Sequence, residues 1–150
     1  MQRIPRDHLT YQFSPTTEPV ARIPPGTTLV LETHDTSTGR IHRAADLPAF
    51  LRVRDPRQVN PAAGPIFVEG ANPGDDLLVD ILAIRLQPHG FVRVHAGAGV
   101  LQDGIAPDGI LMARVDGDHV VLGEKIRFPL RPMVGVIGTA PAADSVYTAA

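Results

Sequence analysis

The sequence predicts a mainly β fold, a jelly-roll-like antiparallel β-sandwich with at most one or two short helices. Glycine and proline are abundant, at 14 and 15 of 150 residues, which is close to a fifth of the chain against about 12% in average proteins. Long helices do not tolerate that density of helix-breaking residues, whereas a sheet protein with many turns does. About eight short apolar or alternating runs, separated by turns about every 8–12 residues, are typical of a sandwich.

The first half of the chain is predicted to hold two strands and one short helix. Residues 20–23 form the first strand, and the β-branched, apolar residues 27–33 form the second after the Pro24-Pro25-Gly26 turn. A short helix is predicted near residues 44–51, because Asp46 is placed to cap it and Pro48 falls in its first turn.

The second half is predicted to be strands only. Residues 66–69 form a short strand, and residues 77–86 are the longest apolar segment. The continuous apolar character of this segment predicts a central strand that is covered on both faces. The remaining predicted strands comprise residues 91–95, a hairpin of 110–115 and 119–122 around Asp116-Gly117, and residues 125–128 and 133–137.

Length and composition set the class of protein. A chain of this length is predicted to form one β-sandwich domain over residues 1–150, with a Pro-rich extended arm over residues 1–19. Hydrophobic residues make up 43% of the chain and charged residues 20%, which excludes intrinsic disorder. The net charge is −2 and the basic residues are dispersed, so we expect neither a nucleic-acid partner nor a membrane surface as partner.

The absence of long apolar segments and of cysteine limits the expected cellular location and the possible catalytic chemistry. No apolar run approaches the roughly 18 residues of a transmembrane helix, and the first residues lack the apolar stretch of a signal peptide. The expected location is therefore cytoplasmic. The chain has no cysteine, which excludes a disulfide framework, a thiolate nucleophile and Cys-ligated zinc.

The densest polar cluster follows the strand at residues 27–33. Alternation places Glu32 and His34 on one face while the strand lasts, and the loop beyond it can bring His34 and Asp35 together. Imidazole nitrogen and carboxylate oxygen are good Zn²⁺ ligands. The spacing is not specific to a metal site, and taken alone it favours a solvated strand end, where Asp35 makes an Asx turn.

Two further side chains are candidates for a chemical role. Glu69 ends an apolar strand immediately before Gly70, where half-burial of its carboxyl group would raise the pKa and suit it to proton transfer. An exposed glutamate at a turn is the alternative. Asn60, before Pro61, is compatible with a purely loop-fixing role, and His95 with a place on a strand face.

The stretch from Val59 to Asp75 resembles a signature of the acetamidase/formamidase family. Its matching elements are Asn60-Pro61, Gly64-Pro65, Val68-Glu69-Gly70-Ala71 and Pro73-Gly74-Asp75. Three further segments are similar to family motifs in the same order along the chain. They are Leu31-Glu32-Thr33-His34-Asp35, Gly39-Arg40-Ile41 and the proline- and glycine-rich residues 129–142.

The resemblance implies an oligomeric, metal-dependent amidohydrolase with a jelly-roll-like N-terminal part. Its substrates would be small aliphatic amides such as formamide and acetamide, and its metal zinc. Asp35 falls on the family's Glu-Thr-x-Asp aspartate and is the implied metal ligand, with Glu32 and His34 as neighbouring candidates. Glu69 falls on the family's Val-Glu-Gly glutamate and Asn60 on its Asn-Pro, which makes them the catalytic candidates.

One departure from the family pattern affects the expected activity. Family chains continue past the segment that resembles residues 135–142 into a Gly-His-Gly-Gly-Asn-x-Asp motif, which this sequence lacks. We therefore expect the N-terminal half of an amidase that is inactive alone, whether as a split protein, a truncation or a half-length relative. Its expected partner is a complementary second-half chain or further copies of itself. The alternative is a non-catalytic β-sandwich domain that binds a partner.

Overall fold

The computed structural model describes residues 1–97 and 108–149. The described residues are mainly β, with one 3-10 turn (Ala44–Asp46) that runs into a short helix, α1 (Leu47–Val53), so the predicted fold class is confirmed. The strands, in chain order, are β1 (Gln2–Ile4), β2 (Leu9–Thr10), β3 (Gln12–Phe13), β4 (Ala21–Ile23), β5 (Leu29–Leu31), β6 (Ala62–Ala63), β7 (Ile66–Val68), β8 (His89–Val94), β9 (Gly109–Asp116), β10 (His119–Leu122), β11 (Ile126–Pro129) and β12 (Val146–Tyr147).

The chain divides into two compact units. Unit 1 comprises Met1–Gly39, Arg54–Leu82 and Val134–Ala150, and unit 2 comprises Arg40–Val53 and Ala83–Met133. None of the helices in the described residues is both long and apolar enough to cross a lipid bilayer.

Four two-stranded ladders build unit 1, and each joins segments that are distant in sequence. β2 pairs with β6 and β3 with β12 in antiparallel fashion. β1 pairs with β5 and β4 with β7 in parallel, an orientation that the sequence did not predict. The segment predicted as an extended arm therefore supplies three strands, β1 to β3.

The side chains of β4 alternate between buried and exposed positions, and the exposed one contacts β7. Ala21 and Ile23 are buried, whereas Arg22 between them is exposed. The guanidinium of Arg22 lies 4.3 Å from the centroid of the Phe67 ring, its register partner in β7. A cation over an aromatic face adds a modest attraction at an exposed site.

A meander of four antiparallel strands, in the order β8-β9-β10-β11, forms the sheet of unit 2. The predicted hairpin is confirmed, since His119 lies opposite Asp116 in the register of β9 and β10. Gly117 in its turn has a φ of 61°, a left-handed conformation that glycine adopts without steric cost.

The helix covers one face of this sheet and forms the core of unit 2. Ile41, Leu47 and Phe50 are buried together, and the partly buried Leu51, Phe91 and Ile110 pack against them. The predicted helix is present, but Asp46 does not cap it in the expected way. It is the third residue of the 3-10 turn, whose N-cap is Arg43, and its Oδ2 accepts hydrogen bonds from the preceding backbone N–H groups of His42 (2.9 Å) and Arg43 (3.1 Å).

Two predicted strands are wrong. Residues 77–86 and 133–137 form no β-ladder with any described residue, and most of their apolar side chains are exposed. Leu78 is 87% exposed, Leu82 76% and Met133 73%. A continuous apolar run is stable as a strand only where neighbours pair its backbone and cover both of its faces, and the described residues provide no such neighbours.

Candidate functional site

The loop that follows β5 is organised around the carboxylate of Asp35. Asp35 Oδ1 accepts hydrogen bonds from the Ser37 N–H (2.7 Å), the Ser37 hydroxyl (2.6 Å) and the Gly39 N–H (3.2 Å). The Asp35 carbonyl accepts a further bond from the Thr38 N–H at 3.0 Å. This arrangement is the Asx turn that the sequence left open as an alternative. One carboxylate oxygen of Asp35 is thus engaged within its own loop.

Contacts inside unit 1 hold this loop in place. Ser37 is fully buried, and the Tyr11 hydroxyl lies 2.7 Å from that of Thr38. Gly39 has a φ of 71°, and a Cβ there would lie 3.2 Å from His34 Nδ1. The sequence therefore places a glycine where the backbone conformation and the nearby His34 ring both disfavour a side chain.

Gly39→Ala is expected to destabilise the protein more than Gly26→Ala. Both glycines are left-handed, but a Cβ at Gly26 would meet nothing within 4 Å. Gly26→Ala should therefore cost only the backbone strain, about 1 kcal/mol, and Gly39→Ala should add the displacement of His34. Urea denaturation followed by circular dichroism measures both. Equal losses would show that the His34 ring yields without cost.

Two arginines hold the carboxylate of Glu32. The Arg3 guanidinium donates a hydrogen bond to Glu32 Oε1, and Arg6 Nε lies 3.9 Å from Oε2. The hydrogen bond from Arg3 is the main reason that the pKa of Glu32 lies below its ordinary value. The Glu32 N–H also donates to the carbonyl of Ile4 at 3.0 Å, which extends the parallel ladder of β1 and β5 by one bond.

Arg3→Ala is expected to raise the pKa of Glu32 toward its ordinary value, and Arg6→Ala to raise it less. A pKa that is lower in the folded than in the unfolded chain adds stability above the unfolded value near 4.5. That contribution disappears as the pH falls through the folded value. Titration of the carboxyl carbon by NMR measures the shift, and an unchanged pKa in Arg3→Ala would contradict the assignment.

Glu69 stands at the end of β7 in the same way that Glu32 follows β5. Its N–H donates to the Ile23 carbonyl at 2.8 Å, the bond that extends the parallel ladder of β4 and β7. The residue is exposed, which agrees with the alternative of an exposed glutamate at a turn and not with half-burial, and the chain turns at Gly70 (φ 81°). A side chain at this position is accessible to a substrate molecule.

Asn60 has an unusual backbone conformation. Its φ is 55°, the left-handed region that asparagine tolerates better than most residues. The preceding carbonyl, of Val59, accepts a hydrogen bond from the Thr148 hydroxyl at 3.2 Å, and Pro61 is buried. Backbone strain of this kind is frequent at functional sites. The left-handed backbone of Asn60 determines the direction in which its side chain leaves the main chain.

The structure places all five candidates, namely Glu32, His34, Asp35, Asn60 and Glu69, in unit 1. It does not join them into one cluster. Within residues 1–97 and 108–149, no group of three or more histidine, aspartate or glutamate side chains is arranged to hold a metal ion. The zinc ion implied by the resemblance therefore does not fit the described residues as a set, since a catalytic zinc site takes three protein ligands.

Sequence reasoning missed two contacts of the titratable groups. Nothing in the spacing indicates that Arg3 pairs with Glu32, because only the ladder of β1 and β5 brings them together. His95, predicted as a strand-face residue, has Nδ1 2.5 Å from Asp108 Oδ1. This contact is the main reason that the pKa of Asp108 is lowered. The two residues lie 13 positions apart, so no local motif marks them.

The fold and the candidate residues define a mainly β protein that places acidic side chains just beyond the ends of parallel strand pairs. The model of the Acetamidase/Formamidase family matches residues 4–149, and the chain belongs to this family. No curated protein gives a significant match.

Solved structures of similar proteins agree with this assignment. A protein from Thermoanaerobacter tengcongensis, described as a predicted acetamidase/formamidase, is 34% identical with a TM-score of 0.89. An acetamidase from Bacillus halodurans is 32% identical with a TM-score of 0.86. An acetamidase from Yersinia enterocolitica, 23% identical with a TM-score of 0.78, shares the fold. The matches cover 97%, 97% and 98% of this chain but 48% of each of the three relatives, so the chain spans about half their length.

Proposed function

We propose that this chain contributes catalytic residues to an amidase that hydrolyses small aliphatic amides, such as formamide and acetamide, to a carboxylate and ammonia. The observation that carries the proposal is the family match over residues 4–149, together with a TM-score of 0.89 to a relative at 34% identity. The proposed activity is that of an enzyme as long as the solved relatives. This chain spans about half of their length.

The reaction exchanges one bond to the carbonyl carbon for another. The oxygen of a water molecule attacks this carbon, a C–O bond forms, and the C–N bond breaks with its electron pair on nitrogen. The base that takes the water proton passes it to the leaving nitrogen, which departs as ammonia. A carboxylate that reaches both the water molecule and the leaving nitrogen can accept the proton from the first and donate it to the second.

Glu69 is the proposed base. Its carboxylate is exposed at the end of β7, and the backbone bond to Ile23 fixes the position of its Cα. The amide of Asn60 is proposed to orient the substrate, because its fixed backbone carries a side chain with both a donor and an acceptor. A primary amide presents the complementary carbonyl oxygen and N–H groups.

Asp35 is the proposed metal ligand from this chain, with Glu32 and His34 as secondary candidates. The three hydrogen bonds to the Asp35 carboxylate all go to Oδ1. The second oxygen, Oδ2, is therefore proposed to bind the metal ion. Glu32 would have to give up its contact with Arg3. We propose that any further ligands come from parts of the enzyme outside the described residues.

This chain is accordingly expected to bind zinc only weakly by itself. The described residues hold no group of three ligands that would complete a zinc site, and Asp35→Ala should weaken the small signal further. Isothermal titration calorimetry with zinc alone measures this. Tight, stoichiometric binding that Asp35→Ala abolishes would show instead that the chain holds a complete site.

Ammonia release from acetamide and formamide tests the proposed function. The chain is assayed alone and after co-expression with the part of the Thermoanaerobacter protein that it does not match, each with and without added zinc. We expect release from the co-expressed complex and none above the buffer rate from the chain alone. A complex that forms but releases no ammonia from either amide would overturn the proposal.

A second candidate, a non-catalytic binding domain, is favoured by one observation. Asp35 and Glu32, both at implied family positions, are engaged in contacts that stabilise the fold. A binding domain would retain these contacts and need no base at Glu69. A complex that binds acetamide without hydrolysing it, with equal affinity in Glu69→Gln, would support this second function.

A further inference from the structure

One face of the sheet in unit 2 is apolar throughout. Residues opposite one another in an antiparallel ladder project to the same side of the sheet. Val92 lies opposite Leu111, and Phe128 lies opposite Val120. We call this surface the open face, and define it by Val92, Val94, Leu111, Val120, Ile126 and Phe128. The remaining positions on it are glycine, alanine, valine and leucine, so that it carries no charge.

The open face is accessible to solvent across the outer part of the sheet. Val92 is 48% exposed and Leu111 50%. Ile126 and Phe128, on the outer strand β11, are 52% and 43% exposed. The opposite face of the same sheet supplies Phe91 and Ile110 to the core around α1. The core around α1 therefore takes its side chains from the opposite face of the sheet, whereas the open face leaves exposed apolar side chains, and a contiguous apolar surface of this kind marks an interaction site.

The solved relatives indicate what covers this face. The match takes in 97% of this chain but 48% of the Thermoanaerobacter and Bacillus proteins. About half of each of those proteins therefore lies outside the matched fold, in the same chain. We propose that the open face is the docking surface for that unmatched half, which we call the complementary part.

The chemistry of the open face sets what the complementary part must present. A charged surface would lose its hydration against the apolar side chains of the open face without gaining a polar partner. The complementary part therefore meets it with an apolar surface, in the manner of two sheets packed face to face. In the relatives this part belongs to the same chain as the matched fold, whereas none of the observations calls for a second copy of this chain at the open face. The proposal rests on family membership and not on the proposed amidase activity.

Thiol labelling tests the proposal, because the chain contains no cysteine. Phe128→Cys places a single thiol on the open face, and Arg127→Cys places a control on the other face of the same strand, where Arg127 is also exposed. Each variant is treated with a maleimide alone and after co-expression with the unmatched part of the Thermoanaerobacter protein. Val92→Cys repeats the test on β8 in case Phe128→Cys fails to fold by circular dichroism.

We expect the complex to slow labelling of Phe128→Cys at least about tenfold and to leave Arg127→Cys unchanged. Equal labelling with and without the complementary part overturns the proposal. Protection of the chain alone that grows with its concentration also overturns it, because a second copy would then cover the face. A complex that protects Phe128→Cys but releases no ammonia upholds the docking surface and counts against the proposed function alone.

Discussion

Glu69→Gln is expected to abolish ammonia release from the complex of this chain with its complementary part. Glutamine keeps the shape of the side chain and removes the group that would accept the water proton. General base catalysis contributes about 10²–10⁴ in rate, so kcat should fall by at least the lower of these factors while KM changes little. Steady-state kinetics with acetamide measures both constants.

The structure makes this substitution easy to interpret. The Glu69 side chain is exposed, and the bond to Ile23 uses its backbone N–H, so folding should change by less than about 0.5 kcal/mol. Glu18→Gln is the matched control, since Glu18 is exposed in the same unit and has no proposed role. Full activity in Glu69→Gln would remove this residue from the catalytic candidates.

Phe50→Ala is expected to cause the largest loss of stability. Phe50 is 6% exposed at the centre of the cluster with Ile41 and Leu47, and the Arg40 guanidinium lies 4.8 Å from its ring centroid. Truncation of a buried phenylalanine costs about 3–5 kcal/mol, a large part of the roughly 5–15 kcal/mol that stabilises a typical domain. Unit 2 should therefore unfold at a much lower urea concentration, as followed by circular dichroism.

Val53→Ala provides the control in the same helix. Val53 is 71% exposed, so its truncation should change the free energy of unfolding by less than about 0.5 kcal/mol. A loss of equal size in both variants would contradict the assignment of the effect of Phe50→Ala to burial of the ring, because alanine has a higher helix propensity than either residue it replaces.

Local signals in the sequence were sufficient for the parts of the fold that depend on neighbours along the chain. Asp116-Gly117 specified the hairpin of β9 and β10, and Pro48 lies in the first turn of the helix as predicted. Each of these signals acts within a few residues. The fold class followed for a similar reason, because the density of glycine and proline limits the length of any helix.

Features that depend on remote partners could not be predicted. Residues 77–86 have the composition of a central strand, but composition does not tell which segment pairs with them. The parallel ladders of unit 1 depend in the same way on which distant strands meet. At the candidate site, the Asx turn of Asp35 was recognisable as one of two alternatives, whereas the pairing of Glu32 with Arg3 follows only from the ladder of β1 and β5.

The ladders of the two units also differ in how much of the chain must be synthesised before they can form. The sheet of unit 2 joins strands that follow one another, β8 to β11, and such local pairings close short loops and form quickly. In unit 1, β3 pairs with β12, so Phe13 cannot meet Val146 until residue 146 has left the ribosome. Pulse-labelled hydrogen exchange should accordingly show the amides of β9 and β10 protected before those of β3, which makes unit 2 the early folding nucleus and unit 1 the late one.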